Sequence, residues 1–263
     1  MTDSADHLQQ LREQAPLVHC ITNYVAMNVA ANALLAVGAS PAMVHTPEES
    51  GEFAGIAGAL TLNMGTPSPL WVKGMVNAAQ SANEQGVPWV LDPVAHFITS
   101  YRREVVATLL ELSPTVIRGN ASEILAMTKG ESQGKGVDSG DLVTDAEAVS
   151  VAFAKTQNTV VAITGEVDFV TDGTRSARVH GGSLWMPRVT AMGCSLTAVM
   201  GAFLAIGSDP FLAAVAALDC FGVCGARADE SARGPGSFQV AFLDSLAWVT
   251  PGEMSSASGV EVL

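Results

Sequence analysis

Charge is scarce in this sequence. Only 15% of its 263 residues are Asp, Glu, Lys or Arg, whereas 48% are apolar. So few charged side chains imply that much of the chain is buried, in a core or in an oligomer contact. Basic residues are the scarcest: 13 Lys and Arg stand against 26 Asp and Glu, for a net charge of −13. That balance argues against nucleic acid or an anionic membrane as partner, because phosphate surfaces attract basic patches. It leaves room for a small phosphorylated substrate that arrives with a metal ion. Four cysteines are too few for a disulfide framework in a chain of this length. Cys220 and Cys224 lie one helical turn apart with no second pair to complete a metal cage, so they read as buried small hydrophobes. The longest apolar stretches are interrupted by Gly, Asn or Asp before reaching a membrane-spanning length. Residues 1–14 are polar and partly acidic, unlike a secretory signal. A cytoplasmic protein is the expectation. Two phosphate-binding motifs are missing as well. There is no G-x-x-x-x-G-K-[ST] loop and no G-x-G-x-x-G after the first strand, which disfavours Walker-type ATPases and dinucleotide oxidoreductases. His19, His45, His96 and His180 show no zinc spacing.

What the chain does have is alternation. Residues 17–21, 41–44, 60–63, 88–92, 115–118 and 160–164 form short apolar runs that predict buried strands. Between them, 24–37, 47–58, 67–85, 101–112 and 144–156 carry helical patterns, with Gly38 and Gly86 placed for left-handed C-terminal caps. Strands alternating with helices predict an α/β fold: a central, mainly parallel sheet covered on both faces. Residues 168–172 and 175–180 predict a hairpin appended to that sheet, and 195–206, 210–232 and 238–249 predict helices. Residues 130–141, rich in Gly, Ser and Asp, predict a mobile loop. No linker or internal repeat divides the chain, so one domain over residues 1–263 is expected.

In an open parallel sheet, ligands bind beyond the C-terminal strand ends. Here those ends carry Asn23, Met43-Val44-His45, Asn63-Met64-Gly65-Thr66, Asp92-Pro93, Arg118-Gly119-Asn120 and Thr164-Gly165-Glu166. Each suits any strand-to-helix turn; their recurrence after six strands points to a site. Thr190-Ala191-Met192-Gly193-Cys194-Ser195 opens an apolar helix, where free backbone N–H groups and the helix dipole bind phosphate. That field should lower the Cys194 thiol's pKa and let it accept a proton from a hydroxyl. The same residues fit a cap followed by a buried cysteine equally well. Asp92 with the Asn120/Glu123 pair could hold Mg²⁺ through waters. By pattern alone, Asn120 and Glu123 are more simply a capping box.

Taken together, VHCITNYVAMNVAANALLAVGASPAMVHTPEE, LTLNMGT, PWVLDPV, VIRGNASEI, GVDS, VVAITGEVDFVTDG, MGCSLTAVMGAFLA and GPGSFQVAFLD resemble the hydroxyethylthiazole kinase family of thiamine salvage. The resemblance spans nearly the whole chain in family order. It implies a ribokinase-like three-layer α/β sandwich and a homotrimer with active sites between subunits. It also implies transfer of phosphate from ATP, with Mg²⁺, to the primary alcohol of 4-methyl-5-(2-hydroxyethyl)thiazole. Carried over by motif, Cys194 and Gly193 are catalytic, and Met43, Ala191, Asn23 and Gly65 contact the thiazole. Arg118, Thr164 and Asn120 contact ATP, and Asp92 and Glu123 lie by the metal, which reverses the preference for a mere cap. Cys194 stands where many ribokinase-like relatives have an aspartate base. The family usually has glycine at Ala191, and glycines where Val94-Ala95-His96-Phe97 stand here. Two other functions compete: a kinase of a hydroxymethylpyrimidine or pyridoxal alcohol, and a non-catalytic thiazole- or nucleotide-binding protein.

Overall fold

The computed structural model describes residues 4–128, 142–207 and 209–263. Its centre is a nine-stranded sheet. β1 (Leu17–Ile21), β3 (Ala59–Asn63), β4 (Trp89–Asp92), β5 (Val116–Asn120) and β6 (Val160–Thr164) lie parallel side by side, with β2 (Ser40–Ala42) parallel at the β1 edge. Beyond β6 the chain turns back, and β7 (Asp168–Thr171), β8 (Ser176–Val179) and β9 (Val260–Val262) continue the sheet antiparallel. The inner strands are buried on both faces because successive residues point to opposite sides. Val18, Val90, Val116 and Ala162 enter one core, while Leu60, Leu62, Leu91, Ile117 and Val161 enter the other.

Helices cover both faces. α1 (Ser4–Gln14), α2 (Met27–Val37), α8 (Met192–Ala205), α9 (Pro210–Asp229), α10 (Pro235–Trp248) and α11 (Pro251–Ala257) contribute to the first core. α3 (Ser50–Ile56), α4 (Pro69–Gln85), α5 (Ser100–Leu110), α6 (Ala121–Thr128) and α7 (Leu142–Gln157) contribute to the second. The expected three-layer arrangement is therefore present. Helix α9 has the length and apolar composition to cross a bilayer, longer than the interrupted stretches suggested. In its most apolar 18-residue window 78% of the residues are buried within the fold, where it serves as a core helix.

Local differences from the sequence expectation have identifiable causes. Helix α2 begins at Met27 rather than residue 24, because the Asn23 side chain accepts the Val25 and Ala26 N–H groups at 3.0 and 3.1 Å. That turn occupies the residues the helix would have used. Helix α8 begins three residues earlier than expected and so takes Cys194 into its first turn. Gly38 and Gly86 do close α2 and α4 in left-handed conformation. Among the elements not anticipated from the sequence are α1, which buries Ala5, Leu8 and Leu11 on one face of a largely polar segment, and β9, which is only three residues long. The loop expected at 130–141 lies outside the described residues.

Candidate active site

The strand order β1-β3-β4-β5-β6 sets one polar residue after another along the C-terminal edge of the sheet. Asn63 ends β3 opposite Asp92 at the end of β4, and Asn120 ends β5 opposite Thr164 at the end of β6. Helix α8 starts beside this row. Side chains that are far apart in sequence thereby form one hydrogen-bonded chain. The Asn23 amide donates to Asn63 Oδ1 at 2.7 Å and to Cys194 Sγ at 3.3 Å. Asn63 in turn donates to Asp92 Oδ2 at 2.7 Å.

Asp92 is buried, and its Oδ2 also accepts from Thr197 Oγ1 at 2.7 Å and faces the Arg118 guanidinium at 3.5 Å. Burial raises its pKa, Arg118 opposes that rise, and the Glu123 carboxylate adds to it. Arg118 donates to Thr164 Oγ1 at 2.6 Å, while its buried Nε has no partner. The guanidinium lies so close to Gly193 that a Cβ there would come within 2.7 Å of it. Glycine at 193 is what allows the cation to reach the start of α8.

Cys194 is half-buried in the first turn of α8 and is not in a disulfide. The expected lowering of its pKa is not found. Burial raises it, the Asp92 charge raises it further, and Asn23, Asn63 and Arg118 offset only part of this. A half-desolvated sulfur close to a carboxylate outweighs the field of one helix end. The turn before it runs through Ala191 at φ 63° and ψ 12°, a left-handed conformation that costs a residue with a Cβ roughly 1–2 kcal/mol.

Glu123 does form the capping box. Its Oε2 accepts the Asn120 N–H at 2.8 Å, and Asn120 Oδ1 accepts the Glu123 N–H at 2.9 Å. The other oxygen, Oε1, accepts the Ala95 N–H at 2.8 Å, where Ala95 is itself left-handed at φ 51°. The cap thus also ties the segment after β4 to α6. A cavity of about 1230 Å³ opens here. Asp92, Arg118, Asn120, Glu123, Thr164 and the turn from Ala191 to Cys194 line it at one end, and Trp185, Met186 and Phe221 line an apolar part.

The family model for hydroxyethylthiazole kinases matches residues 8–252. The chain belongs to the hydroxyethylthiazole kinase family. A hydroxyethylthiazole kinase of Rhizobium etli is 61% identical over 241 residues, covering 91% of this chain and 93% of that one. Another, of Cereibacter sphaeroides, is 58% identical over 261 residues and 99% of both chains. The structure of the hydroxyethylthiazole kinase protein of Pyrococcus horikoshii superposes with a TM-score of 0.92 at 39% identity, over 99% of this chain and 98% of that chain. A pyridoxal kinase of Staphylococcus aureus, in complex with AMP-PCP and pyridoxal, gives a TM-score of 0.66 at 16% identity over 94% and 98%, a likeness of ribokinase-like fold alone.

Against that family, the sequence-predicted site residues divide in two. Asp92, Arg118, Asn120, Glu123, Thr164, Ala191, Gly193 and Cys194 all line the cavity. Asn23, Gly65 and Met43 do not. Asn23 touches Cys194 from the side, and Gly65 packs on Asn23 so closely that a Cβ would fall 2.6 Å from its amide. Met43 follows the edge strand β2, partly buried against the first core. Asn63 was named from the sequence only as one of the strand-end residues, with no role, and Thr197 was not picked out at all. A lone threonine one turn beyond Cys194 in an apolar helix was the available signal for Thr197. Among the described residues, no group of three or more His, Cys, Asp or Glu gathers as a metal-binding set.

Proposed function

We propose that this protein transfers the γ-phosphate of ATP to the primary alcohol of 4-methyl-5-(2-hydroxyethyl)thiazole, giving ADP and the thiazole phosphate. Relatives 58–61% identical and named hydroxyethylthiazole kinase support the reaction. One structural observation carries it: Arg118, Cys194 and the first turn of α8 meet at a single end of the cavity. Phosphoryl transfer needs positioning and charge neutralisation more than covalent chemistry, and that meeting point supplies both.

The phosphates of ATP belong at this polar end, held by Arg118, Thr164 and the free N–H groups of α8, with the base toward Trp185, Met186 and Phe221. Asp92 and Glu123 suit Mg²⁺, since they are hard oxygen donors in one cavity that repel each other. With only two carboxylates, water and phosphate oxygens complete the shell. The ion, when bound, neutralises charge on the phosphates. Asn120, through its capping box with Glu123, orients that carboxylate. The alcohol lies beside Cys194, with Asn23, Gly65, Ala191 and Met43 around the thiazole.

As the alkoxide oxygen bonds to phosphorus and ADP leaves, the hydroxyl proton passes to Cys194 Sγ in its thiolate form, which becomes the thiol. Because the thiol's pKa is raised, little thiolate is present at neutral pH. The acceptor role therefore falls toward the lower part of the roughly 10²–10⁴-fold range for general-base catalysis. Exposed Tyr24, which packs on Trp71, and exposed Val25 and Leu70 leave apolar surface that suits a homotrimer completing the thiazole pocket across subunits. One continuous nine-stranded sheet supports reading residues 1–263 as a single kinase domain, and four free cysteines suit a cytoplasmic setting.

The test is purified protein with Mg·ATP and a panel of alcohols, with products identified by mass spectrometry. Thiazole phosphate is expected. Transfer only to a hydroxymethylpyrimidine or to pyridoxal, or thiazole binding without turnover, would overturn the assignment.

A further inference from the structure

The hydrogen-bond directions in the asparagine chain can be assigned without ambiguity, although amide nitrogen and oxygen look alike. Asn23 Oδ1 faces two backbone N–H groups, Val25 and Ala26, which only donate. The other end of that amide is therefore the NH₂, and it faces Asn63 and Cys194. Asn63 Oδ1 takes the Gly65 N–H at 3.0 Å as well as the Asn23 amide, so its NH₂ must face Asp92. Asp92 Oδ2 is independently held by Thr197 and Arg118, both donors. Every direction is thus set twice.

Two consequences follow. The sulfur of Cys194 is held as a hydrogen-bond acceptor from Asn23, the arrangement that favours a proton-accepting sulfur. The two ends of the chain are not equally secure. When Asn63 is removed, Asp92 Oδ2 keeps Thr197 and Arg118. The Asn23 NH₂ instead loses its 2.7 Å acceptor and keeps only the 3.3 Å contact to Cys194, with Val25 and Ala26 still holding its Oδ1 end.

We propose that Asn63 is a positioning residue for phosphoryl transfer, acting through the Asn23 amide to fix the acceptor face and rotamer of the Cys194 sulfur. This rests on the kinase reading above and adds a residue that touches neither phosphate nor alcohol. Asn63 also donates to Asp92 and accepts from Gly65, and only its route through Asn23 requires the Cys194 sulfur.

A double-mutant cycle tests it. Asn63→Ala should lower kcat about 10- to 100-fold, as expected when a reacting group is misplaced by roughly an ångström. The KM for thiazole should move less than about threefold, since uniform binding is untouched. In a Cys194→Ala background the same change should cost less than about threefold, because the sulfur it positions is gone. Losses that multiply in full would overturn the proposal and leave Asn63 as a packing residue. If Asn63→Ala does not fold, Asn63→Ser, whose hydroxyl is too short to span Asp92 and Asn23 together, is put through the same cycle.

A second readout is independent of turnover. Crystals of the folded Asn63 variant should show the Asn23 amide and the Cys194 side chain displaced from their contact. An unchanged Asn23–Cys194 pair would overturn the proposal even if the wild type phosphorylated no thiazole. An inactive wild type with a displaced pair would instead sink the kinase reading while still showing that Asn63 positions the Cys194 sulfur.

Discussion

Replacing Arg118 with methionine removes the one cation that, among the described residues, faces buried Asp92, and the consequence can be worked out from the contacts. The pair is 3.5 Å apart, with the arginine side chain 12% and the aspartate 2% exposed. Breaking such a buried pair leaves an uncompensated charge, at a typical cost of about 3–5 kcal/mol. Here Asn63 and Thr197 still donate to the same oxygen, which argues for the lower end, about 3 kcal/mol. The loss should depend on pH with a definite sign. Asp92 already has a raised pKa, so between the ordinary carboxylate range and its folded pKa the folded state holds a proton that the unfolded chain has given up. Stability therefore falls as pH rises from the ordinary carboxylate range to the folded pKa. Without Arg118 that pKa rises further and the falling window extends upward. Urea denaturation should find Arg118→Met closest to wild type at the acidic end of the pH range and most destabilised at the alkaline end. Adding Asp92→Asn should recover most of the deficit, because no buried charge is left to compensate. If the double variant is as unstable as Arg118→Met, or the deficit is flat with pH, the electrostatic account of this pair is wrong. The same substitution should raise the KM for ATP far more than that for the alcohol; equal effects would make Arg118 structural.

Two further substitutions test the first turn of α8. Cys194→Ala should lower kcat with little change in thiazole KM, and wild-type kcat should keep rising into the alkaline range as thiolate accumulates, a slope the variant lacks. Cys194→Asp should retain activity and lose that alkaline rise, and a folded but inactive Asp variant would refute the proton-acceptor role. Ala191→Gly should relieve the left-handed strain and stabilise the protein by about 0.5–1 kcal/mol, or a few degrees of Tm. An unchanged or lower melting temperature would mean that the turn imposes no cost there.

The layered α/β fold was legible because its signal is local. Apolar runs such as 60–63 and 160–164 must be buried on both faces, and helical periods between them must cover those faces. The starts of α2 and α8 were not legible, because side-chain hydrogen bonds and a strained turn set them rather than periodicity. The residue types of the site could be named one by one from the strand ends. Their interaction could not, since Asn23, Asn63, Asp92 and Thr197 are joined only by the order in which strands pair and by the packing of α8 beside them. Sequence by itself determined which groups reach the ligand edge of the sheet, for that follows from where apolar runs stop. Tertiary structure alone decided their electrostatics. A helix start would make Cys194 acidic in isolation, but burial beside Asp92 makes it the reverse, because desolvation and nearby charge depend on neighbours brought in from distant parts of the chain.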